Sequence, residues 1–347
     1  MFPFGTRRSA KRATRRGLSQ LAKLLKAPSN ASGKRAAAAK PRKEPVRKPP
    51  GRFVEIRQLR VHYIVKGRGR PVVLVHGNGT MAEDFLISGL IERLATHYRV
   101  IAIDRPGFGY TGRPRAKIWT AAEQAELIHH VLAGLKVKRP LVVGHSWGTL
   151  VALALAASGL RELRGLVLLS GYYYPSRRAD VTMSKTLAMP GIGDAARAMM
   201  NPAMGRLVAA QSFRHAFRPE MVPRRFETDF PVEIAMSATQ LRAATEDAST
   251  MNAAAKQLQH TYARLELPVA ILSGSADAVV DLHEQSRRLH GEIGGSSLKI
   301  LPGLGHMIHY AGIGPIGRAI DTLMSPASTG GQPARRSAAS ALSPRST

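Results

Sequence analysis

Three residues could together make a nucleophile out of a hydroxyl: Ser146, Asp277 and His306. Ser146 sits in Gly144-His145-Ser146-Trp147-Gly148, between the apolar run Leu141–Val143 and the alanine- and leucine-rich run that follows. Glycines two residues before and two after the serine permit a tight strand-to-helix turn that side chains would block, which pushes Ser146 out above the strand end. A serine hydroxyl attacks poorly until a base removes its proton, and a histidine does this best when a carboxylate fixes its tautomer and stabilises the imidazolium. Asp277 closes the apolar run Pro268–Gly274, and His306 follows Leu298–Pro302 in a glycine-rich loop. The chain order is Ser, Asp, His.

Such residues are useful only if the fold gathers them, and the hydropathy pattern supplies the means. From Arg52, two alternating segments, FVEIRQL and RVHYIVKG, predict an antiparallel pair of strands, followed by a continuously apolar strand, Val72–Val75. An amphipathic helix is expected over about 82–95, a buried strand in RVIAID, and a helix capped by Thr120 running to about Leu135. Further strands are expected at 165–171, 268–277 and 298–306, and a closing helix at about 313–324. This alternation predicts an α/β fold with a mostly parallel sheet covered on both faces. In such a sheet the carboxyl ends of the strands are where ligand chemistry collects.

The domain organisation expected is a disordered basic arm at 1–51, a core made of 52–171 and 267–324, an inserted helical cap at 172–266, and a disordered tail at 325–347. The insertion lacks strand-like runs and carries eight of the twelve methionines: Met183, Met189, Met199, Met200, Met204, Met221, Met236 and Met251. Flexible, polarizable thioethers suit a cap that adapts to an apolar substrate, and equally suit the cap's own packing.

The chain of 347 residues carries a formal charge of +28, and residues 1–50 hold fifteen Lys or Arg against Glu44 alone, a net +14. That arm is foremost a solvated tail, but its charge also suits an anionic surface, whether membrane or nucleic acid, and Leu18, Leu21 and Leu25 could face such a surface from a short helix. Arg15-Arg16 and the scarcity of acids have features of targeting segments, while the apolar part is too short and lysine-broken for a secretory signal. With no cysteine, disulfides, thiolate metal sites and a cysteine nucleophile are excluded. No apolar run approaches the roughly 18 residues of a membrane span. A soluble cytoplasmic protein, or one peripheral to a membrane, is expected.

Five motifs in order, His76-Gly77-Asn78-Gly79, Asp104-Arg-Pro-Gly-Phe-Gly109, Gly144-His-Ser-Trp-Gly148, Gly274-Ser-Ala-Asp277 and Gly303-Leu-Gly-His306, each at the end of an expected strand, resemble the α/β-hydrolase superfamily over residues 52–324. The resemblance implies that Ser146, His306 and Asp277 form the catalytic triad. It also implies that the backbone N–H groups of Asn78 and Trp147 bind the oxyanion, and that no cofactor or metal is needed.

Rivals exist for several positions. Asp281 lies near Asp277 but falls into a helix-like stretch, and His309 falls at a helix start, so Asp277 and His306 are preferred. His145 is read as a packing residue, Asp104 as the organiser of its own loop, and His76 as a brace of the oxyanion loop. Branches of the family that open epoxides or displace halide carry an aspartate where this chain has Ser146. Trp147 resembles proline iminopeptidases, whose oxyanion loop is HGGPG-like, and His76-Gly77-Asn78-Gly79-Thr80 departs from it.

The expected activity is hydrolysis of a small to medium carboxylic ester or related acyl compound with an apolar part. Carbon–carbon bond or amide cleavage on the same triad is the alternative, and a non-catalytic binding module the alternative of another class.

Overall fold

The structure is a computed structural model, and it describes residues 48–176, 188–189, 191, 193–194 and 202–325. Residues 1–47 of the expected basic arm, the tail from 326 onward, and Met183, Met199 and Met200 lie outside the described residues. The chain divides into two units, Met1–Lys48 and Pro49–Thr347; only the second is described further.

Eight strands form one sheet: β1 (Arg52–Ile56), β2 (Leu59–Lys66), β3 (Pro71–Val75), β4 (Arg99–Ile103), β5 (Leu141–His145), β6 (Gly165–Leu169), β7 (Val269–Gly274) and β8 (Ser297–Leu301). Their spatial order is β1-β2-β4-β3-β5-β6-β7-β8. The β1–β2 and β2–β4 pairs are antiparallel and the remaining five pairs are parallel. Strands β5 and β6 are buried along their whole length, which is why they carry the unbroken apolar runs Leu141–Val143 and Leu166–Leu169 rather than alternating.

Helices cover both faces. On one lie α1 (Ala82–Ile87), α2 (Leu90–Ala95) and, from the end of the chain, α11 (Ile313–Met324); on the other lie α3 (Ala121–Gly134) and α4 (Gly148–Ala157). Helix α3 begins where expected, with the Thr120 hydroxyl accepting the Glu123 N–H. The single helix expected over 82–95 is instead two: Gly89 takes φ +88 after Ser88 and breaks it. Strand β6 also stops before Gly171, at Leu169, because Ser170 turns the chain with φ +44.

Between β6 and β7 every described regular element is helical: α5 (Pro202–Phe217), α6 (Arg224–Asp229), α7 (Val232–Ala235), α8 (Ala238–Leu258) and a 3-10 turn, Gln259–Arg264. Phe217, Phe226 and Phe230 form a small aromatic cluster of this segment, joined by Met81, Ile87 and Met307 from the sheet side. The long helix α8 begins with the Ser237 hydroxyl accepting the Gln240 N–H and packs Met251, Ala254 and Ala255 into the main core. The chain continues from β7 through a π-helical turn (Leu282–Arg287), α9 (Arg288–Glu292), β8 and the short helix α10 (Ile308–Ala311) into α11. No helix among the described residues is long and apolar enough to cross a membrane.

Candidate active site

Strand β5 delivers Ser146 into a turn that a side chain on either flanking glycine would destroy. A Cβ on Gly148 would lie 2.3 Å from the Val75 carbonyl oxygen, and one on Gly144 would lie 2.7 Å from that of Gly148. Ser146 itself takes φ +52, a left-handed conformation that costs a non-glycine residue about 1–3 kcal/mol. The turn is held from both sides. The Ser146 N–H donates to the Leu169 carbonyl at 2.9 Å, and the Thr149 hydroxyl donates to the Ser146 carbonyl at 2.7 Å.

His306, from the loop between β8 and α10, stands between the other two residues of interest. Its Nε2 lies 2.8 Å from Ser146 Oγ and its Nδ1 lies 2.9 Å from Asp277 Oδ2. With Nδ1–H donating to the carboxylate, Nε2 is left to accept the serine proton. Asp277 Oδ1 accepts the N–H groups of Val279 and Val280 at 2.8 and 2.9 Å. Burial raises the cost of the Asp277 charge, but attraction to His306, its hydrogen bond and the two backbone donors outweigh it. The carboxyl therefore titrates below its ordinary value.

The rivals point elsewhere. Asp281 caps the π-helical turn by accepting the His283 and Glu284 N–H groups, and His309 Nε2 lies 2.9 Å from Asp84 Oδ2. His145 is buried, its Nε2 lies 3.1 Å from the His306 carbonyl oxygen, and its ring packs against both His306 and His309. Burial, then the neighbouring His309 and His306, hold its ring well below the ordinary imidazole value, so Nε2 is a neutral donor that braces the His306 backbone. Asp84, His145 and His309 bring ligand atoms within 4.8 Å of one another, the one such grouping among the described residues. Its Asp84 carboxylate is already engaged by His309 and by the Tyr310 hydroxyl at 2.6 Å, and the cluster serves as a buried support behind His306.

Asp104 organises its own loop, accepting the N–H groups of Ala82 and Tyr110 and facing His62 Nδ1 at 2.7 Å. His76 accepts the Arg105 N–H at Nε2 and donates from Nδ1 to the Gly77 carbonyl. Burial and the Arg105 charge keep it neutral, well below its ordinary value.

A cavity of about 350 Å³ opens over Ser146 and His306, and Asn78 and Trp147 line it with them. Among the described residues neither backbone N–H of Asn78 or Trp147 has an acceptor. Tyr172, Phe213, Ala216, Met251, Val279 and Met307 supply apolar walls, and no Lys, Arg, Asp or Glu lines the cavity among the described residues. The methionine-lined cap reduces to one residue in what is described: Met251 faces the cavity, whereas Met189 and Met221 are exposed. A second methionine in the wall, Met307, comes from the loop after β8 and not from the insertion.

The sequence did not single out a buried polar network beneath the cavity. The Arg105 guanidinium, fully buried, donates to the carbonyls of His76 and Gly77 at 3.0 and 2.8 Å, to Gln124, and to Asp247 on α8. Asp247 also accepts from Arg113 and Gln124, both at 3.0 Å. Arg105 falls inside the Asp104–Gly109 motif, which was a signal, but its partner lies 142 residues away in the insertion.

The chain belongs to the α/β-hydrolase fold family, whose model matches residues 70–312. It is 31% identical over 162 residues to "Haloalkane dehalogenase 2" of Mycobacterium tuberculosis, a match covering 47% of this chain and 52% of that protein. The chain thus spans about half the length of this relative. The fold is shared with an α/β-hydrolase fold protein from Burkholderia ambifaria (TM-score 0.68, 19% identity, 79% of this chain and 98% of that one). It is shared too with the enol-lactonase from Burkholderia xenovorans (TM-score 0.63, 17% identity, 78% and 99%).

Because the folded-state value of Asp277 lies below the unfolded one, its contribution to stability is complete above the ordinary carboxylate value of about 3.9. It is lost as pH falls through the lowered folded value. Urea unfolding of wild type and Asp277→Asn should therefore show a stability gap that is constant well above the ordinary carboxylate value and narrows as pH falls below it. A gap independent of pH would contradict the assigned cause.

Proposed function

We propose that the protein is a serine hydrolase that cleaves a small to medium carboxylic ester, or a related acyl compound with an apolar part, through an acyl-enzyme. The observation that carries this reading is the placement of His306 at 2.8 Å from Ser146 and 2.9 Å from Asp277, at the floor of a largely apolar cavity. In this reading His306 takes the Ser146 proton as Oγ attacks the acyl carbon, and Asp277 keeps the imidazolium oriented. The N–H groups of Asn78 and Trp147 hold the oxyanion, and His306 then protonates the leaving alcohol. Water deacylates the serine by the same route. An uncharged acyl portion fits walls that lack Lys, Arg, Asp and Glu among the described residues.

The dehalogenase relative does not redirect the proposal. Displacement of halide at a saturated carbon by a carboxylate leaves an ester, which water can open. The same displacement by Ser146 would leave an ether, which it cannot, and turnover would stop after one event. A serine at the elbow suits acyl transfer.

A fluorophosphonate probe should label the wild type and leave Ser146→Ala unlabelled, and a panel of p-nitrophenyl esters should show hydrolysis by the wild type alone. Equal labelling of both proteins would sink the assignment of Ser146.

We also propose that the positive charge of residues 1–50 holds the protein at anionic surfaces. Deleting those residues should abolish salt-sensitive retention on heparin and leave ester hydrolysis intact; unchanged retention would refute that role.

A further inference from the structure

Residues Gln240, Ala244, Asp247, Ala248 and Met251 recur at helical spacing along one face of α8, and that face meets the candidate site. Ala248 and Met251 line the cavity. The other three hold the two segments assigned to the oxyanion. The Asn78 side-chain amide donates to the Ala244 carbonyl at 2.9 Å, and the Trp147 indole N–H donates to the Asp247 carbonyl at 3.1 Å. Gln240 bonds both neighbouring loops, donating to the Gly79 carbonyl at 3.4 Å and accepting the Gly109 N–H at 2.9 Å.

The Asp247 side chain adds a charged link. Its carboxylate pairs with Arg105, whose guanidinium grips the carbonyls of His76 and Gly77, immediately before Asn78, and lies 4.6 Å from the centre of the Trp147 ring. Arg105 and Asp247 are both fully buried. A guanidinium held there without its carboxylate would be an uncompensated charge, so the loop before Asn78 can keep this arrangement only while α8 is seated.

We propose that α8 is the positioning element of the oxyanion site, with Asp247 its central positioning residue, so that seating of this helix and alignment of the two backbone donors are one event. This rests on the serine-hydrolase reading above. Asn78 and Trp147 then have divided roles: their backbone N–H groups face the reaction, and their side chains anchor those groups to α8. Asp247 touches no substrate. It acts through Arg105 and Trp147. The energetic requirement is positional, because a donor displaced by a few tenths of an ångström stabilises the oxyanion less while leaving the apolar walls in place.

Three variants test this in the full-length protein: Trp147→Phe and Asn78→Ala, which delete the side-chain anchors and keep the backbone donors, and Asp247→Asn, which weakens the charged link. For each, kcat and KM on a p-nitrophenyl ester are measured together with inhibition by an apolar trifluoromethyl ketone. That ketone is held tightly only as the oxyanionic hemiketal of Ser146. A ground-state mimic, the product carboxylic acid's alkyl amide, serves as comparison.

The expected result is a fall in kcat of about 10- to 100-fold, a loss of ketone affinity of similar factor, and KM and amide affinity within about threefold of wild type. Wild-type kcat and ketone affinity in folded Trp147→Phe would overturn the proposal. So would parallel losses for ketone and amide, which mean a general disturbance of the pocket. Should Asp247→Asn fail to fold, Trp147→Phe, which keeps an aromatic ring in the same place, decides. A wild type that neither hydrolyses esters nor binds the ketone overturns the hydrolase reading itself, and the positioning role with it; an active wild type with unaffected variants overturns the positioning role alone.

Discussion

The left-handed turn at Ser146 is the constraint on which the rest of the structure depends. Its backbone is unfavourable for a serine, at φ +52, and it persists because Gly144 and Gly148 let the start of α4 press against the carbonyls ending β3. A turn of this kind cannot be held by local sequence alone. The fully buried strands β5 and β6, with the Ser146 N–H bonded to the Leu169 carbonyl, over-determine it from the sheet side. The reward for that strain is position: the Ser146 hydroxyl stands within reach of His306, and Trp147, the next residue, lines the same cavity.

Around this turn the protein has two supporting layers of different chemistry. Behind His306 lies a hydrogen-bonded cluster of His145, His309, Asp84 and Tyr310, which fixes the histidine loop through the His306 carbonyl and close ring contacts. Beneath the segments that carry Asn78 and Trp147 lies the buried Arg105–Asp247–Arg113 network, completed by Gln124. Buried charges of this type add little to stability over well-packed apolar residues, but they are expensive to misplace. They therefore suit a role in specifying geometry.

The sequence carried the strand-end residues well because each announces itself locally. The glycine spacing around Ser146, the position of Asp277 just after an apolar run, and His306 in a glycine-rich loop all reflect backbone requirements of their own few residues. What the sequence concealed depends on contacts between distant segments. Nothing near Asp247 marks it as the partner of Arg105, and the Trp147 indole has no local sign that it would reach a helix carbonyl 100 residues on. The helix expected over 82–95 shows the converse failure: its apolar spacing continues across Gly89, and only the glycine's φ of +88 divides it. The methionine-rich insertion suggested a lining that composition could not place, since Met221 points to solvent and Met307, outside the insertion, faces the cavity.

The central claim is that Ser146 carries the acyl group between two chemical steps. Rapid mixing of the protein with an activated p-nitrophenyl ester, followed by acid quench and intact-mass analysis, tests it directly. The account predicts a burst of p-nitrophenol approaching one equivalent and a matching mass increase of one acyl group, mapped by peptide fragmentation to Ser146. Steady turnover with no covalent adduct, or an adduct on another residue that survives in Ser146→Ala, would contradict it.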